Sequence, residues 1–364
     1  MNNREATYYL SGKAYTKGRL LQFCHVKMRE KHVNAFEKEL LAFIIDWFSP
    51  SQFINAQTSG STGKPKEIQL LKKYMMASAV TTNSFFNLKK KDKILLCLPM
   101  SFIAGKMMVV RALAGSLDLY FSEPSSKPVI IDEQIKFTAM VPLQVSSLLN
   151  ENIDAIENIE KLIIGGAFIS GLLFGQLQQI KTQVWQTYGM TETMTHIAIR
   201  KLNGAKRQNR YQPLPGVSVK LDQRGCLVVK AKHLGVDELV TNDLADIEKN
   251  GTFQILGRVD DVIVSGGLKF NPVEIENKLS GIVSNDFFIG SLDDHELGQK
   301  LLLFIEKGGQ VERRIFDIWS QLEERLERLE MPKEIIFIGS FARTAAGKTD
   351  RISTIKEYKN SFNQ

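Results

Sequence analysis

The sequence predicts an α/β protein. A large N-terminal domain holds largely parallel sheets with flanking helices and a β-rich subdomain, and a small α+β domain follows at the C-terminus. Three observations lead there. Short apolar segments alternate with helical stretches between residues 93 and 189, the pattern of βα units wound into parallel sheet. After residue 206 the texture changes to short β-type segments punctuated by glycines 225, 251, 257, 266 and 267. The remaining C-terminal stretch mixes helices and strands in amounts sufficient for a separate unit.

Taken in order, the first fifty residues read as mainly helical. Residues 33–48 place Phe36, Leu40, Phe43 and Ile44 on one face, and Pro50 stops the helix. A Gly/Ser/Thr loop leads into a helix over 72–86. "KILLCLPM" (93–100) is the first buried strand, followed by a helix over 105–113. Strands at 117–121, 137–142, 161–166 and 182–189 alternate with helices at 143–149 and 172–179. "VSVKLD", "CLVVKA", "ELVTN" and "FQILGRVDDVIVSGG" form the β-rich part. The C-terminal part is read as a helix at Pro272–Leu279, strands near 286–291 and 300–306, an amphipathic helix over 312–329 and a strand at Glu334–Ile338. The boundary falls near 258–261, giving domains 1–259 and 260–364. No internal repeat is evident.

The 364 residues suffice for two or three cored units, and 43% hydrophobic with 24% charged residues is an ordinary globular balance. The net charge of +7 admits nucleic acid, an anionic surface or an anionic small substrate. The basic clusters at 89–93 and 201–210 read as solvated surface. They are not interleaved with aromatics and no nucleic-acid motif accompanies them, so nucleic acid is not the expected partner. Cys24, Cys97 and Cys226 are far apart, with no CxxC spacing, so neither a disulfide framework nor a zinc site is expected. Residues 1–19 are polar and charged, and no apolar run reaches the length of a membrane span; a cytoplasmic protein is expected.

"TSGSTGKPKEIQL" (58–70) reads as a phosphate cradle. Glycines let several N–H groups face one anion, hydroxyls add donors and lysine adds charge. A Walker A loop is excluded, because Gly63-Lys64 is followed by Pro65 and the upstream glycine would fall at Ser59. Gly347-Lys348-Thr349 is a second near miss, with Ala342 where the upstream glycine would stand.

The stretch resembles at every position the T-S-G-[ST]-T-G-x-P-K signature of the adenylate-forming superfamily: acyl-CoA synthetases, peptide-synthetase adenylation domains and luciferases. Five more segments resemble that family's motifs in the family's order. They are "LPMSFIAG" (98–105), "IIGGAFIS" (163–170), "YGMTET" (188–193), the segment running from "TND" (241–243) through "GRVDD" (257–261) to "SGG" (265–267), and "RTAAGKTDR" (343–351). Two departures stand out. Asn242 replaces the glycine of T-G-D, and Ala342 replaces a proline. Only 57 residues precede the phosphate loop, fewer than is usual in the family, which implies a reduced N-terminal subdomain.

The resemblance implies two steps. A carboxylate attacks the α-phosphate of ATP, giving acyl-AMP and pyrophosphate; a thiol, that of coenzyme A, then displaces AMP. It further implies that Lys348 bridges carboxylate and phosphate oxygens, offsetting the repulsion of two anions. Glu192 would hold Mg²⁺, a hard cation that prefers oxygen ligands, and Thr191 would donate to the α-phosphate. Thr58, Ser59, Gly60, Ser61, Thr62, Gly63 and Lys66 would cradle the β- and γ-phosphates. Gly165, Gly166 and Ala167 would leave the adenine edge free, with Tyr188 as its flat face and Gly189 beside it. Asp243 would accept from both ribose hydroxyls, a match of two oxygens to a vicinal diol, and Arg258 would reinforce it. Asp260 falls at the hinge of a mobile C-terminal domain that first delivers Lys348 and then brings Gly266 and Gly267 beside the thiol channel.

For the acid, the resemblance implies a pocket of Phe102, Ile103, Gly105, Ala167, Met190 and Met194, apolar enough for an aryl or alkyl acid. His196 either faces that pocket or is a hydrogen-bonded structural histidine. Arg111 either pairs with a second substrate carboxylate or, the plainer expectation, reaches solvent from a helix end. "SFIAGKMMVVRAL" with "YGMTETMTHIAIRKLNG" most resembles the o-succinylbenzoate–CoA ligase branch, in a compact form. Benzoate-type ligases and adenylation proteins that load a carrier-protein thiol are the alternatives within the class. A nucleotide- or nucleic-acid-binding non-enzyme is the alternative outside it. The oligomeric state, monomer or homodimer, is left open.

Overall fold

Alternating apolar and helical segments can bury both faces of a sheet only by winding helices over it. The computed structural model does this. It describes residues 6–57, 67–166, 169–283, 285–307, 315–344 and 349–361. The chain divides into two units, the first comprising Met1–Gly166, Leu177–Ser218 and Lys230–Glu238, the second Ala167–Gln176, Val219–Val229 and Leu239–Gln364.

In chain order the first part runs β1 (Tyr8–Leu10), β2 (Lys13–Tyr15), α1 (Lys17–Lys27), α2 (Ala35–Trp47), β3 (Phe53–Gln57), β4 (Glu67–Leu71), α3 (Lys72–Phe85), β5 (Lys93–Leu96), α4 (Ile103–Gly115), β6 (Asp118–Phe121), β7 (Ile135–Met140), α5 (Pro142–Glu151), α6 (Ile153–Glu157), β8 (Ile159–Ile164), α7 (Gly171–Leu177), β9 (Gln183–Gly189), β10 (His196–Lys201) and β11 (Gln212–Pro213). There follow β12 (Ser218–Leu221), β13 (Cys226–Ala231), β14 (Val236–Ile247), β15 (Phe253–Arg258), β16 (Ile263–Ser265), β17 (Leu268–Phe270), α8 (Pro272–Leu279), β18 (Phe287–Asp294), β19 (Gly298–Glu306), α9 (Ile315–Arg325), β20 (Glu334–Ile338) and α10 (Arg351–Ser361).

The first unit is built on a nine-stranded sheet of order β11-β10-β9-β8-β7-β5-β6-β1-β2. The run from β9 to β1 is parallel throughout, and antiparallel partners close both ends: β2 on β1, and β10 and β11 beyond β9. Helix α4 is buried almost all round, from Met107 to Ala112, which is why its sequence is apolar on every face. Phe86, just after α3, sits 5.0 Å from the rings of both Phe137 and Trp185 and ties that helix to the sheet.

Two expectations are corrected. The first fifty residues are not mainly helical up to their start: β1 and β2 form a hairpin that extends the main sheet, each only three residues long and so too short to show a period. The phosphate-loop segment is flanked by strands that read as loop in the sequence: β3 and β4 pair antiparallel, with Gln57 opposite Glu67. The main sheet is largely parallel, as expected, and its antiparallel strands lie at the ends, where residues after the Y-G-x-T-E motif turn back as β10 beside β9.

In the second unit, β14 pairs antiparallel with β15 in a four-stranded sheet of order β12-β13-β14-β15. A five-stranded sheet centres on β19, which pairs antiparallel with β16 and β18 and parallel with β20. The run "LLLFI" is apolar at every position because both faces are covered. Leu301, Leu303 and Ile305 pack with Ile275 and Leu279 of α8 and Leu322 of α9, while Leu302 and Phe304 pack with Phe288 and Phe341. Among the described residues no helix is long and apolar enough to cross a membrane.

Candidate nucleotide and acid sites

Thr58, Ser59, Gly60, Ser61, Thr62, Gly63, Lys66, Ala167 and Lys348 lie outside the described residues. The other expected site residues fall into three clusters, two in the first unit and one in the second.

The first cluster lies where β8 and β9 end. Gly165 donates its N–H to the Met140 carbonyl at 3.2 Å, and a Cβ there would stand 2.6 Å from Thr187 Oγ1. Gly166 has φ +88°, a left-handed value that favours glycine. At the end of β9 the half-buried Tyr188 has its ring 5.9 Å from that of Tyr211. Gly189 is required by a close approach: a Cβ there would lie 2.3 Å from the Thr195 carbonyl oxygen and 2.4 Å from the His196 Cα. The chain then makes a tight turn over Thr191–Thr193. The Met190 N–H donates to Thr193 Oγ1 at 3.1 Å, and that fully buried hydroxyl lies 2.7 Å from the Thr195 carbonyl oxygen. Met194 leaves the turn at φ +65°, uncommon for a side chain of its size, and is nonetheless buried. Thr191 is buried and Glu192 exposed. Among the described residues no group of three or more His, Cys, Asp or Glu could hold a metal ion. A lone exposed carboxylate fits Mg²⁺, which takes one or two carboxylates together with substrate phosphates.

The second cluster is the acid pocket candidate. Phe102 caps α4 in an extended conformation, and Phe102 and Ile103 are half-buried. Gly105 lets α4 start hard against the preceding segment, since a Cβ would lie 2.3 Å from the Pro99 carbonyl oxygen. Arg111, eight residues into that helix, does not reach solvent; it is 1% exposed. The plainer expectation fails because the Met107–Ala112 part of α4 is buried on every face. Its guanidinium donates to Thr195 Oγ1 at 3.2 Å and lies 3.5 Å from Met108 Sδ, while Nε has no hydrogen-bond partner among the described residues. It forms no ion pair with any carboxylate among the described residues. Burial pushes its pKa down to about 9, which still leaves it charged at neutral pH. His196 is buried and lies 3.3 Å from Thr82 Oγ1 on α3. Burial, and then the neighbouring Arg111 cation, hold the imidazole well below its usual range, so it is neutral. The charged Arg111 guanidinium and the neutral His196 imidazole therefore lie near one another, and Thr195, next to His196 in sequence, accepts from Arg111.

The third cluster is in the second unit. Asp243 on β14 stands opposite Arg258 on β15 and accepts from its NH1 at 2.9 Å. Arg258 NH2 donates at 2.9 Å to Asp260, in the short turn Val259–Asp261. Hydrogen bonds from Arg258 and Asn242 hold the Asp260 carboxyl below its ordinary range. Gly266 and Gly267 form the two-residue turn between β16 and β17, at φ +57° and +79°, both left-handed as such a hairpin turn requires.

Sequence reasoning missed Thr82, Thr195 and Arg224. Thr82 meets His196 from 114 positions away, so no local spacing could have joined them.

The model of a family described as AMP-binding enzyme matches residues 49–235, just over half of the chain. A 2-succinylbenzoate–CoA ligase of Lactococcus lactis subsp. lactis (strain IL1403) is 25% identical over 320 residues, covering 80% of this chain and 68% of that protein. One of Bacillus cereus (strain Q1) is 26% identical over 344 residues, covering 84% and 70%. Among solved structures, an acyl-CoA synthetase (AMP-forming)/AMP-acid ligase II-like protein from Dyadobacter fermentans is 32% identical with a TM-score of 0.61; the match covers 92% of this chain and 97% of that one. An o-succinylbenzoate coenzyme A synthetase from Bacillus subtilis, in complex with ATP and magnesium ion, has the same fold at 22% identity, TM-score 0.68, covering 83% and 69%. From its ordered motifs, its fold and these likenesses, the chain belongs to the AMP-binding enzyme family.

Proposed function

We propose that the protein is an ATP-dependent acid–CoA ligase whose acid is o-succinylbenzoate. The observation that carries the substrate reading is Arg111. An enclosed guanidinium with no carboxylate partner among the described residues is costly unless something anionic completes it. An aryl diacid has one carboxylate to react and a second to place there, and Phe102, Ile103, Met190 and Met194 supply apolar contact for its ring. Relatives whose names specify 2-succinylbenzoate support the choice.

In the first step a carboxylate oxygen bonds to the α-phosphorus and pyrophosphate leaves. Lys348 offsets the repulsion of the two anions, and Thr191 donates to the α-phosphate. Mg²⁺, held by Glu192, neutralises phosphate charge when bound. The 58–66 loop holds the outer phosphates. Gly165, Gly166, Ala167 and Tyr188 accommodate the adenine, and Asp243, oriented by Arg258, takes the ribose diol. In the second step the CoA sulfur bonds to the acyl carbon and AMP departs with the electron pair of the cleaved C–O bond. Residues 260–364 act as the mobile domain about Asp260, with Gly266 and Gly267 admitting the narrow pantetheine arm. The use of ATP and CoA supports a cytoplasmic location.

The test is acid-dependent pyrophosphate release from ATP and Mg²⁺, screened over o-succinylbenzoate, substituted benzoates and fatty acids. Turnover is expected with o-succinylbenzoate, and the thioester should form with CoA rather than with a carrier-protein thiol. Release with only another acid would overturn the substrate; no release with any acid would overturn the ligase.

A further inference from the structure

The family pattern has glycine where this chain has Asn242, and the structure shows what the extra side chain does. Asn242 Nδ2 lies 3.1 Å from both Asp260 carboxylate oxygens. Its Oδ1 accepts from Arg224 NH1 at 3.1 Å, so the amide is held from behind. Arg224 is itself anchored, by NH2 to the Thr241 carbonyl at 3.1 Å and by Nε to Asp222 at 2.9 Å. From the other side Arg258 donates to Asp260 and Asp243 at once. The Asp260 carboxylate is thus clamped to strands β14 and β15. Glycine at 242 could make none of the Asn242 contacts.

We propose that Asn242 is a positioning residue for the hinge, tying Asp260 to β14 in one backbone setting and so biasing which half-reaction the enzyme is poised for. This rests on the reading of Asp260 as the hinge of a two-step ligase. Rotation about the Asp260 N–Cα bond swings its side chain together with the chain downstream, and the amide–carboxylate contact resists that rotation. A contact made in one of two states shifts their populations only by its own free energy, so the effect should be modest and of opposite sign for the two steps.

The experiment measures the two half-reactions separately on the full chain: acyl-AMP formation by pyrophosphate release, and thiolysis of supplied acyl-AMP by CoA. Asn242→Ala removes the contact, and Asn242→Asp sets a like charge against Asp260. One half-reaction is expected to rise and the other to fall, changing their ratio by about 3- to 10-fold for Asn242→Ala, the scale of a typical net hydrogen bond. Asn242→Asp should move the ratio further in the same direction. Asn242→Asp combined with Asp260→Asn restores an amide–carboxylate pair and should return the ratio towards wild type. Equal loss of both steps, or an unchanged ratio, would overturn the proposal while leaving the ligase reading intact. Absence of acyl-AMP formation by the wild type would instead overturn that reading.

Discussion

At the scale of residues, Arg111 and His196 separate binding from stability. A buried cation without an acid partner disfavours the fold, and an apolar side chain of similar length removes that cost. Arg111→Met is therefore expected to leave the melting temperature unchanged or higher, by differential scanning calorimetry. Its KM for o-succinylbenzoate should rise by about 30-fold or more, the equivalent of about 2 kcal/mol for losing a buried charged contact. A benzoate lacking the second carboxylate should be affected much less. A melting temperature that fell by many degrees would show the guanidinium to be structural. The Arg111 position was legible as an odd cation in an apolar helix. Its burial was not, because that depends on what packs against the far side of α4.

At the scale of elements, the turn after β9 depends on backbone meeting backbone. In Gly189→Ala the new methyl would meet the Thr195 carbonyl oxygen at 2.3 Å, and neither side can rotate away. A loss of about 1–3 kcal/mol is expected in denaturant unfolding, with adenylation falling alongside, since overpacking forces the backbone apart. Gly165→Ala is the contrast. There the obstacle is the Thr187 hydroxyl at 2.6 Å, a side-chain atom that can turn aside, so a smaller loss is expected. The parallel strands were legible because both faces are covered and their apolar runs are continuous. The strands β1, β2, β3, β4 and β10 were not: the first four are only three to five residues long, and β10, though six, carries His196, Arg200 and Lys201 and so no long apolar run.

At the scale of the whole molecule, two buried titratable groups give stability a pH dependence of opposite sign. His196, in the first unit, is kept neutral in the fold by burial. The unfolded chain binds its proton below the ordinary value of about 6.5, so its contribution is complete above that pH and is lost as pH falls. Glu276, in the second unit, has its pKa raised by burial, with Arg351 opposing, so the folded form holds its proton longer than the unfolded form does. Its contribution is complete below the ordinary value of about 4.5 and is lost as pH rises through the raised folded value. Melting temperatures of wild type and His196→Gln between pH 7 and 5 should separate the two: the variant should lose less stability on acidification. Parallel curves would show that His196 binds its proton equally well in the folded and the unfolded chain.

The amino-acid sequence by itself determined the fold class and the order of motifs along the chain, because glycine spacing, apolar runs and charged signatures are local properties; the chemistry of activating a carboxylate with ATP followed from the resemblance of those motifs to a family's. Only the tertiary structure decided that Arg111 is enclosed beside Thr195, that His196 meets Thr82, and that Asn242 holds Asp260. Each of those depends on a contact between residues brought together by sheet order or hairpin register, and the energy of a buried charge is set by neighbours that no linear spacing specifies.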